Sequence, residues 1–511
     1  MTGLSAMDQW PSGPVDLLIV GGGINGTGIA RDAAGRGLSV LLVEQDDLAS
    51  HTSSASTKLI HGGLRYLEYY EFRLVREALI ERERLWGMAP HIIWPLRFVL
   101  PQNQSPRPAW IVRLGLFLYD HLGGREKLPG TETVKLASSP FGAGLSPRGG
   151  KAFVYSDCWV EDSRLVALNA LDAAERGATI RTRARLTGAQ RSATGWTADV
   201  TDADGLTRQI EARVLVNAAG PWVADVLGRT SGCRNDRGVR LVKGSHIVVP
   251  QLYDGDHAFM LQNDDRRIVF AIPYEGKFTL VGTTDEAWGE APGKAEIGAG
   301  ETKYLLDTIA RYFARPVTEA DIAWSYSGIR PLYDDKSANA SAVTRDYVLD
   351  VDAGEDRAPM LSIFGGKITT YRKLAEHAMR ELAPFLQNAG QAWTAGAALP
   401  GGDMPDADFE RFLGGVEVRY PAIPLALLRR LARAYGTRVS AILGEARSVA
   451  DLGDDLGGGL HVAEVDYLVA NEWARTVEDI LWRRSKLGLH VPTGTAERLD
   501  AYLGQRSAVA A

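Results

Sequence analysis

The alternation of apolar and polar residues changes period several times along this chain, and each period predicts an element. Asp16 to Val20 is a short apolar run, Asn25 to Arg36 has helical spacing, and Leu38 to Glu44 is a second apolar run. That order is the βαβ unit of a doubly wound sheet. From Phe72 the apolar residues recur at Val75, Leu79 and Trp86 between Arg and Glu, which predicts an amphipathic helix ended by Pro90 and Pro95. Residues from about 180 to 216 alternate with period two around Gly195 and Gly205, as in an antiparallel meander. Arg267 to Pro273 and Phe278 to Thr283 flank Glu275 and Gly276 and predict a hairpin in a second sheet carrying a substrate wall. After the punctuation Leu399-Pro400-Gly401-Gly402-Asp403 the spacing turns helical. Leu428, Leu431 and Tyr435 share a face that ends at Gly436, and Val462, Val465 and Val469 repeat it.

A chain of 511 residues exceeds one core, so several packed units are expected. The net charge of -6 gives no support to an extended nucleic-acid footprint, and no nucleic-acid partner is expected. Cys158 and Cys233 lack disulfide or metal-ligand spacing, so buried thiols are expected and no metal. The N-terminus has no basic start followed by an apolar stretch, which points to the cytosolic side. The segment Ala109 to Leu122 is the most apolar, but Arg113 interrupts it. It is expected to be buried core, with a place in a lipid headgroup layer as the alternative.

Gly21, Gly23 and Gly26 form G-x-G-x-x-G directly after the first strand and at the mouth of the helix. There the glycines permit a tight turn, close approach of backbone N–H groups to a pyrophosphate and close helix packing, and the helix N-terminus favours negative charge. Glu44 ends the second strand, where an acid accepts hydrogen bonds from an adenosine ribose; with no Arg nearby it disfavours a 2′-phosphate. This leaves FAD and NAD. The stretch Thr52 to Arg65 (TSSASTKLIHGGLR), with hydroxyls, Lys58 and the Gly62-Gly63 turn, suits the longer FAD lying across the sheet edge. Val214 to Gly220 (VLVNAAG) is a buried strand ending in small residues, which lets backbone pass close to a flavin ribityl chain or adenine; a plain strand end fits it equally.

Taken together, GGGINGTGIARDAAGRGLSV, TSSASTKLIHGGLRYLE, YSDCWVED, LVKGSHIVVP, RIVFAIPY, SGIRPL, TRDY, FGGKITTYRKLAEHA and DILWRRSKLG resemble the aerobic FAD-dependent glycerol-3-phosphate dehydrogenases, within the wider glycine oxidase and D-amino-acid oxidase fold group. The resemblance runs almost end to end. It implies an α/β fold with a Rossmann-like FAD-binding domain (14–95, 151–245 and 346–390) interleaved with an antiparallel-sheet substrate domain (96–150 and 246–345), and a helical C-terminal domain (400–511). It also implies oxidation of sn-glycerol 3-phosphate to dihydroxyacetone phosphate, electrons passed to membrane quinone, peripheral attachment to the inner face of the cytoplasmic membrane, and a homodimer.

By the same resemblance the cofactor is held by Gly21, Gly23, Ile24, Asn25, Gly26, Glu44, Thr52, Ser53, Ser54, Ser56, Lys58, Gly62, Gly63, Leu64, Ala219, Gly220, Gly366, Lys367, Ile368 and Thr369. A phosphate dianion requires several cationic donors. Arg330, Arg345, Arg65 and Lys367 are the expected set. Lys367 also begins a helical run, with Thr369 and Thr370, whose N-terminus would stabilise charge on a reduced flavin; a plain N-cap fits the same residues. Removal of the hydroxyl proton calls for a base titrating near neutrality. His246 is the first candidate and His61 the second, with Tyr66 and Tyr274 lining the pocket. An oxidase using oxygen shares these motifs, and a noncatalytic flavin-binding membrane protein is the reading from another class.

Overall fold

The computed structural model describes residues 9–234, 238–334 and 346–510. Two sheets and a helical C-terminal unit organise the chain, and the expected fold class holds. At the centre of the first sheet Val15–Val20 lies between Val40–Glu44 and Thr207–Asn217, parallel to both. The parallel ladder extends to Thr179–Thr182 on one side and to Arg357–Phe364 on the other. Because side chains alternate across a strand, Leu17 and Ile19 pack on one face with the helices Ile24–Gly35, Asp162–Glu175 and Tyr371–Leu382. Leu18 and Val20 pack on the other with the meander Arg185–Arg191, Trp196–Thr201 and Thr207–Asn217. The meander predicted from the period-two pattern is therefore present, and it joins the first sheet.

The second, ten-stranded sheet contains the predicted hairpin as Ile268–Tyr274 and Phe278–Gly282. It also contains Lys151–Val160 and Val239–Pro250, although the first of these and residues 239–245 of the second lie in segments assigned to the cofactor domain. Lys151–Val160 pairs along its whole length with Ile93–Pro101. The chain thus leaves the second sheet only at Glu161, where helix Asp162–Glu175 returns it to the first. Pro95 sits inside the strand Ile93–Pro101, so the preceding helix Phe72–Met88 ends without it.

The C-terminal unit has its own core, in which Leu428, Leu431 and Tyr435 are buried as their spacing predicted. Helix Leu425–Tyr435 stops where Gly436 takes φ +57°.

Two expectations are corrected. Helix Ala109–Leu122 buries only Val112, Leu116 and Tyr119, while Trp110 (70% exposed), Ile111, Leu114 and Phe117 face outward. The run is amphipathic, and its apolar density hid that. Cys158 is a buried thiol, but Cys233 is only partly buried, near the edge where Arg191 and Asp352 pair.

Candidate flavin site

At the carboxyl end of Val15–Val20, the position at which doubly wound sheets bind ligands, a cavity opens. Its floor is the predicted glycine turn. A Cβ on Gly26 would stand 1.9 Å from the Gly21 carbonyl oxygen, and Gly21 itself has φ +115° with the Ala218 carbonyl 2.5 Å from its missing Cβ. The turn can close only with glycine at both places. The N–H of Ile24, in the first helical turn, donates to Ser53 Oγ at 3.0 Å. Glu44 accepts from Gly22 N–H at 2.7 Å and Asp46 N–H at 2.9 Å, and burial raises its pKa against the pull of those bonds. Ala218, Ala219 and Gly220, the end of VLVNAAG, form the facing wall, and Thr52, Gly365 and Gly366 also line the cavity. Asn25 Nδ2 donates to Gly365 O at 3.1 Å, while its buried Oδ1 has no partner among the described residues.

Sequence patterns did not single out His51 and Trp222, which lie 4.5 Å apart between ring centroids at the cavity mouth. The Pro221-Trp222 pair after the small-residue strand end was the available signal. Glu44, Asp46 and His51 bring ligand-type atoms within 4.8 Å of one another. Backbone bonds to Glu44 and the 2.8 Å His51–Asp46 pair account for that convergence without an ion.

Ser54, Ser56 and Lys58 stand outside this cavity wall. Lys58 Nζ donates to Asp162 Oδ1 at 2.8 Å and to Ser54 O at 3.1 Å, and Ser56 Oγ donates to Asp162 Oδ2 at 2.7 Å. Lys58 and Asp162 are both fully buried, and breaking such a pair costs about 3–5 kcal/mol. The pair anchors the segment that carries the next two clusters.

The first cluster joins the HGG turn to the FGGK turn. His61 N–H donates to Thr369 Oγ1 at 3.2 Å, and Lys367 Nζ stands 3.8 Å from the Tyr66 ring centroid, which is packed under Gly63 (φ +74°). Gly62 N–H donates to the Tyr119 hydroxyl at 2.7 Å; that hydroxyl donates to Asp157, and Arg82 pairs with Asp157 at 2.7 Å. Burial first, then Lys367 and Arg82 against Asp157, lowers the His61 pKa. Leu64 packs on the second sheet's core, Thr369 and Thr370 are buried, and Ile368 begins the short turn before Tyr371–Leu382. Arg65 Nε is buried without a partner among the described residues.

The second cluster lies on the second sheet. His246 Nε2 is 3.0 Å from Thr57 Oγ1, and its ring stacks on Tyr326 with centroids 4.8 Å apart and an 18° tilt. Burial, then Lys58 and Arg330, pushes the His246 pKa well below its usual value. Arg330 shares that face four pairs along the ladder and bonds Asp285 at 3.0 Å. Tyr274 is buried with its hydroxyl unpartnered among the described residues. Arg345 lies outside the described residues; the carbonyls of Pro331 and Asp346, the chain neighbours of Arg330 and Arg345, both border Gly365. Thr57 of the second cluster and His61 of the first lie on one short segment, separated by no more than about 14 Å of backbone.

The family description "FAD dependent oxidoreductase" matches residues 16–372, the stretch that builds the cavity and both clusters. The chain belongs to this FAD-dependent oxidoreductase family. Its cofactor is FAD, and the glycine cradle, the ribose acid and the unpartnered Asn25 oxygen fit that group. Residues 392–503 match the C-terminal domain of alpha-glycerophosphate oxidase. The flavoprotein is 54% identical over 498 residues to a glycerol-3-phosphate dehydrogenase of Pseudomonas aeruginosa, covering 96% of each chain. It is also 54% identical over 480 residues to a D-erythritol 1-phosphate dehydrogenase of Brucella abortus, covering 93% of this chain and 95% of that one. Among solved structures, the FAD complex of a Bacillus halodurans glycerol-3-phosphate dehydrogenase superposes with TM-score 0.73 at 26% identity, over 98% of this chain and 89% of the other.

Proposed function

We propose that this flavoenzyme oxidises sn-glycerol 3-phosphate to dihydroxyacetone phosphate and passes the electrons to membrane quinone. The observation that carries the substrate class is the set of cations around the FGGK turn: Lys367 on it, Arg330 beside the Pro331 that borders it, and Arg65 on the facing HGG turn. Guanidinium groups suit a phosphate because their planar forks engage two oxygens. Both relatives named above act on a polyol carrying one terminal phosphate.

Bound FAD supplies the hydride acceptor. The protein's part is to hold the phosphate, present the secondary hydroxyl and take its proton. His246 is assigned the proton. It is neutral because burial, Lys58 and Arg330 disfavour its charged form, and an arriving phosphate dianion offsets those cations and raises its proton affinity. His61, beside Lys367 and Tyr66, shapes the flavin side of the same region.

Membrane attachment is assigned to helix Ala109–Leu122. Its outward Trp110, Ile111, Leu114 and Phe117 are exposed, as are Tyr69 and Phe72 on the two segments packed against it, an amphipathic surface suited to a headgroup layer. No helix among the described residues is long and apolar enough to cross a membrane. We place the enzyme on the inner face of the cytoplasmic membrane, as a homodimer.

The test is anaerobic bleaching of the flavin by glycerol 3-phosphate, erythritol 1-phosphate and unphosphorylated glycerol, followed by reoxidation with quinone or oxygen. Rapid bleaching by glycerol 3-phosphate and preferential reoxidation by quinone are expected. Arg330→Ala is expected to lower kcat/KM for it about 10- to 100-fold through loss of a charged hydrogen bond. Bleaching by glycerol at the same rate would refute the phosphate grip. Faster bleaching by erythritol 1-phosphate would reassign the substrate, and faster reoxidation by oxygen would make the enzyme an oxidase.

A further inference from the structure

The motif DILWRRSKLG of the C-terminal unit supplies no residue to the wall of the flavin cavity, yet both its arginines reach the loop that borders it. Arg484 grips Asp47 with both prongs of its fork, Nη1 to Oδ2 at 2.6 Å and Nη2 to Oδ1 at 2.8 Å, and Arg483 Nε meets Oδ2 at 2.7 Å. The side chains of Asp47 and Arg484 are each 1% exposed. The arginines are held in turn. Arg484 Nε donates to Glu472 O at 3.0 Å, the Arg483 fork reaches Asp479, and Ser163 Oγ donates to Arg483 O at 2.7 Å. A carboxylate in such a bidentate pair is fixed in direction as well as in place.

The chain that follows Asp47 is the rim of the cofactor site. Ala49, Ser50, His51, Thr52 and Ser53 line the cavity. Ala49 takes φ +59°, a left-handed conformation that an L side chain keeps only when its surroundings impose it. Two anchors do so. Ala49 N–H donates to Gly22 O at 3.2 Å, on the glycine turn, and Ser50 closes back on Asp47 O through its N–H at 3.2 Å and its Oγ at 2.7 Å. Ser53 Oγ then accepts the Ile24 N–H. Asp47 therefore ties one end of this strained loop to the C-terminal unit, and the glycine turn ties the other.

We propose that Arg483 and Arg484 are positioning residues for the flavin: by gripping Asp47 they hold residues 46–53 against the glycine turn, and the C-terminal unit thereby slows the escape of FAD. Neither arginine lines the cavity. Both act through Asp47 and the backbone that follows it.

The experiment follows release of FAD from the holoenzyme, as free flavin passing a filter over time, in Asp47→Asn, Arg483→Gln and Arg433→Ala. Arg433 also docks the C-terminal unit, on the Pro90 carbonyl at 3.2 Å and the Trp94 ring at 4.7 Å, away from the loop. Asp47→Asn is expected to release FAD about tenfold faster or more, because it leaves buried guanidinium groups without their carboxylate. Arg483→Gln, a milder break that leaves the Arg484 fork in place, should accelerate release about threefold. Arg433→Ala should lower the melting temperature while release stays within about twofold of wild type. Hydrogen exchange of the 46–53 amides, read by mass spectrometry on the holoenzyme, should quicken in Arg483→Gln and not in Arg433→Ala. Should Asp47→Asn not fold, Arg483→Gln against Arg433→Ala decides. Release at the wild-type rate in Arg483→Gln would overturn the proposal. So would release from Arg433→Ala as fast as from the loop variants, which would mean that docking of the unit in general retains the flavin, or faster release with exchange at 46–53 unchanged.

Discussion

At the residue scale the cofactor cradle is set by absent atoms. Gly26 packs against the Gly21 carbonyl so tightly that even a methyl group must displace the helix start from the turn. Forced overpacking costs about 1–3 kcal/mol, so Gly26→Ala is expected to weaken FAD retention by about tenfold or more. Flavin absorbance per polypeptide after gel filtration measures it, and unchanged yellow protein would contradict the packing. The same scale shows where residue type alone misleads. Ser56 and Lys58 have the chemistry of cofactor ligands, yet their bonds go to Asp162, more than 100 positions away in sequence. Thr57 between them, chemically unremarked in the sequence, reaches His246.

At the scale of elements, period recovered most of the architecture, because a strand alternating every two residues and a helix every three to four read out burial on one face. The meander, the Glu275-Gly276 hairpin and helix Leu425–Tyr435 were legible for that reason. Helix Ala109–Leu122 was misjudged because apolar density says nothing of what covers a face. Its outer side chains make a direct prediction. Trp110→Glu with Phe117→Glu removes two large apolar groups worth about 1.5–3 kcal/mol each when buried. Sedimentation with anionic vesicles should show association falling at least about tenfold, with turnover on a soluble quinone analogue retained. Undiminished sedimentation would overturn the assignment of membrane attachment to this helix.

At the scale of the whole molecule, the C-terminal unit is joined to the cofactor domain through buried charge. Asp47 pairs with Arg483 at 2.7 Å and Arg484 at 2.6 Å, and Asp479 pairs with Arg183 at 2.6 Å. Burial alone would raise the Asp479 pKa, but Arg183, the Arg475 N–H, Arg484 and Arg483 outweigh it and hold it at about 2. A carboxyl depressed on folding contributes stability that is complete above its unfolded value of 3.8 and is lost as pH falls toward 2. That contribution is about 2 kcal/mol. Asp479→Asn should therefore lower the melting temperature at pH 7, and the gap from wild type should close between pH 4 and pH 2. A gap independent of pH over that range would show that the ion pairs do not set it.

The linear order of residues was enough to determine the βαβ cradle, the cofactor, the existence of a second sheet and a helical C-terminal unit, since each is written in local period or in glycines that serve one turn. Only tertiary structure decided which strands share a sheet, which face of Ala109–Leu122 meets solvent, and that Thr57, Tyr326 and Gly282 enclose His246. These depend on side chains brought together from distant segments, and neither local period nor residue type records the partner a group will meet.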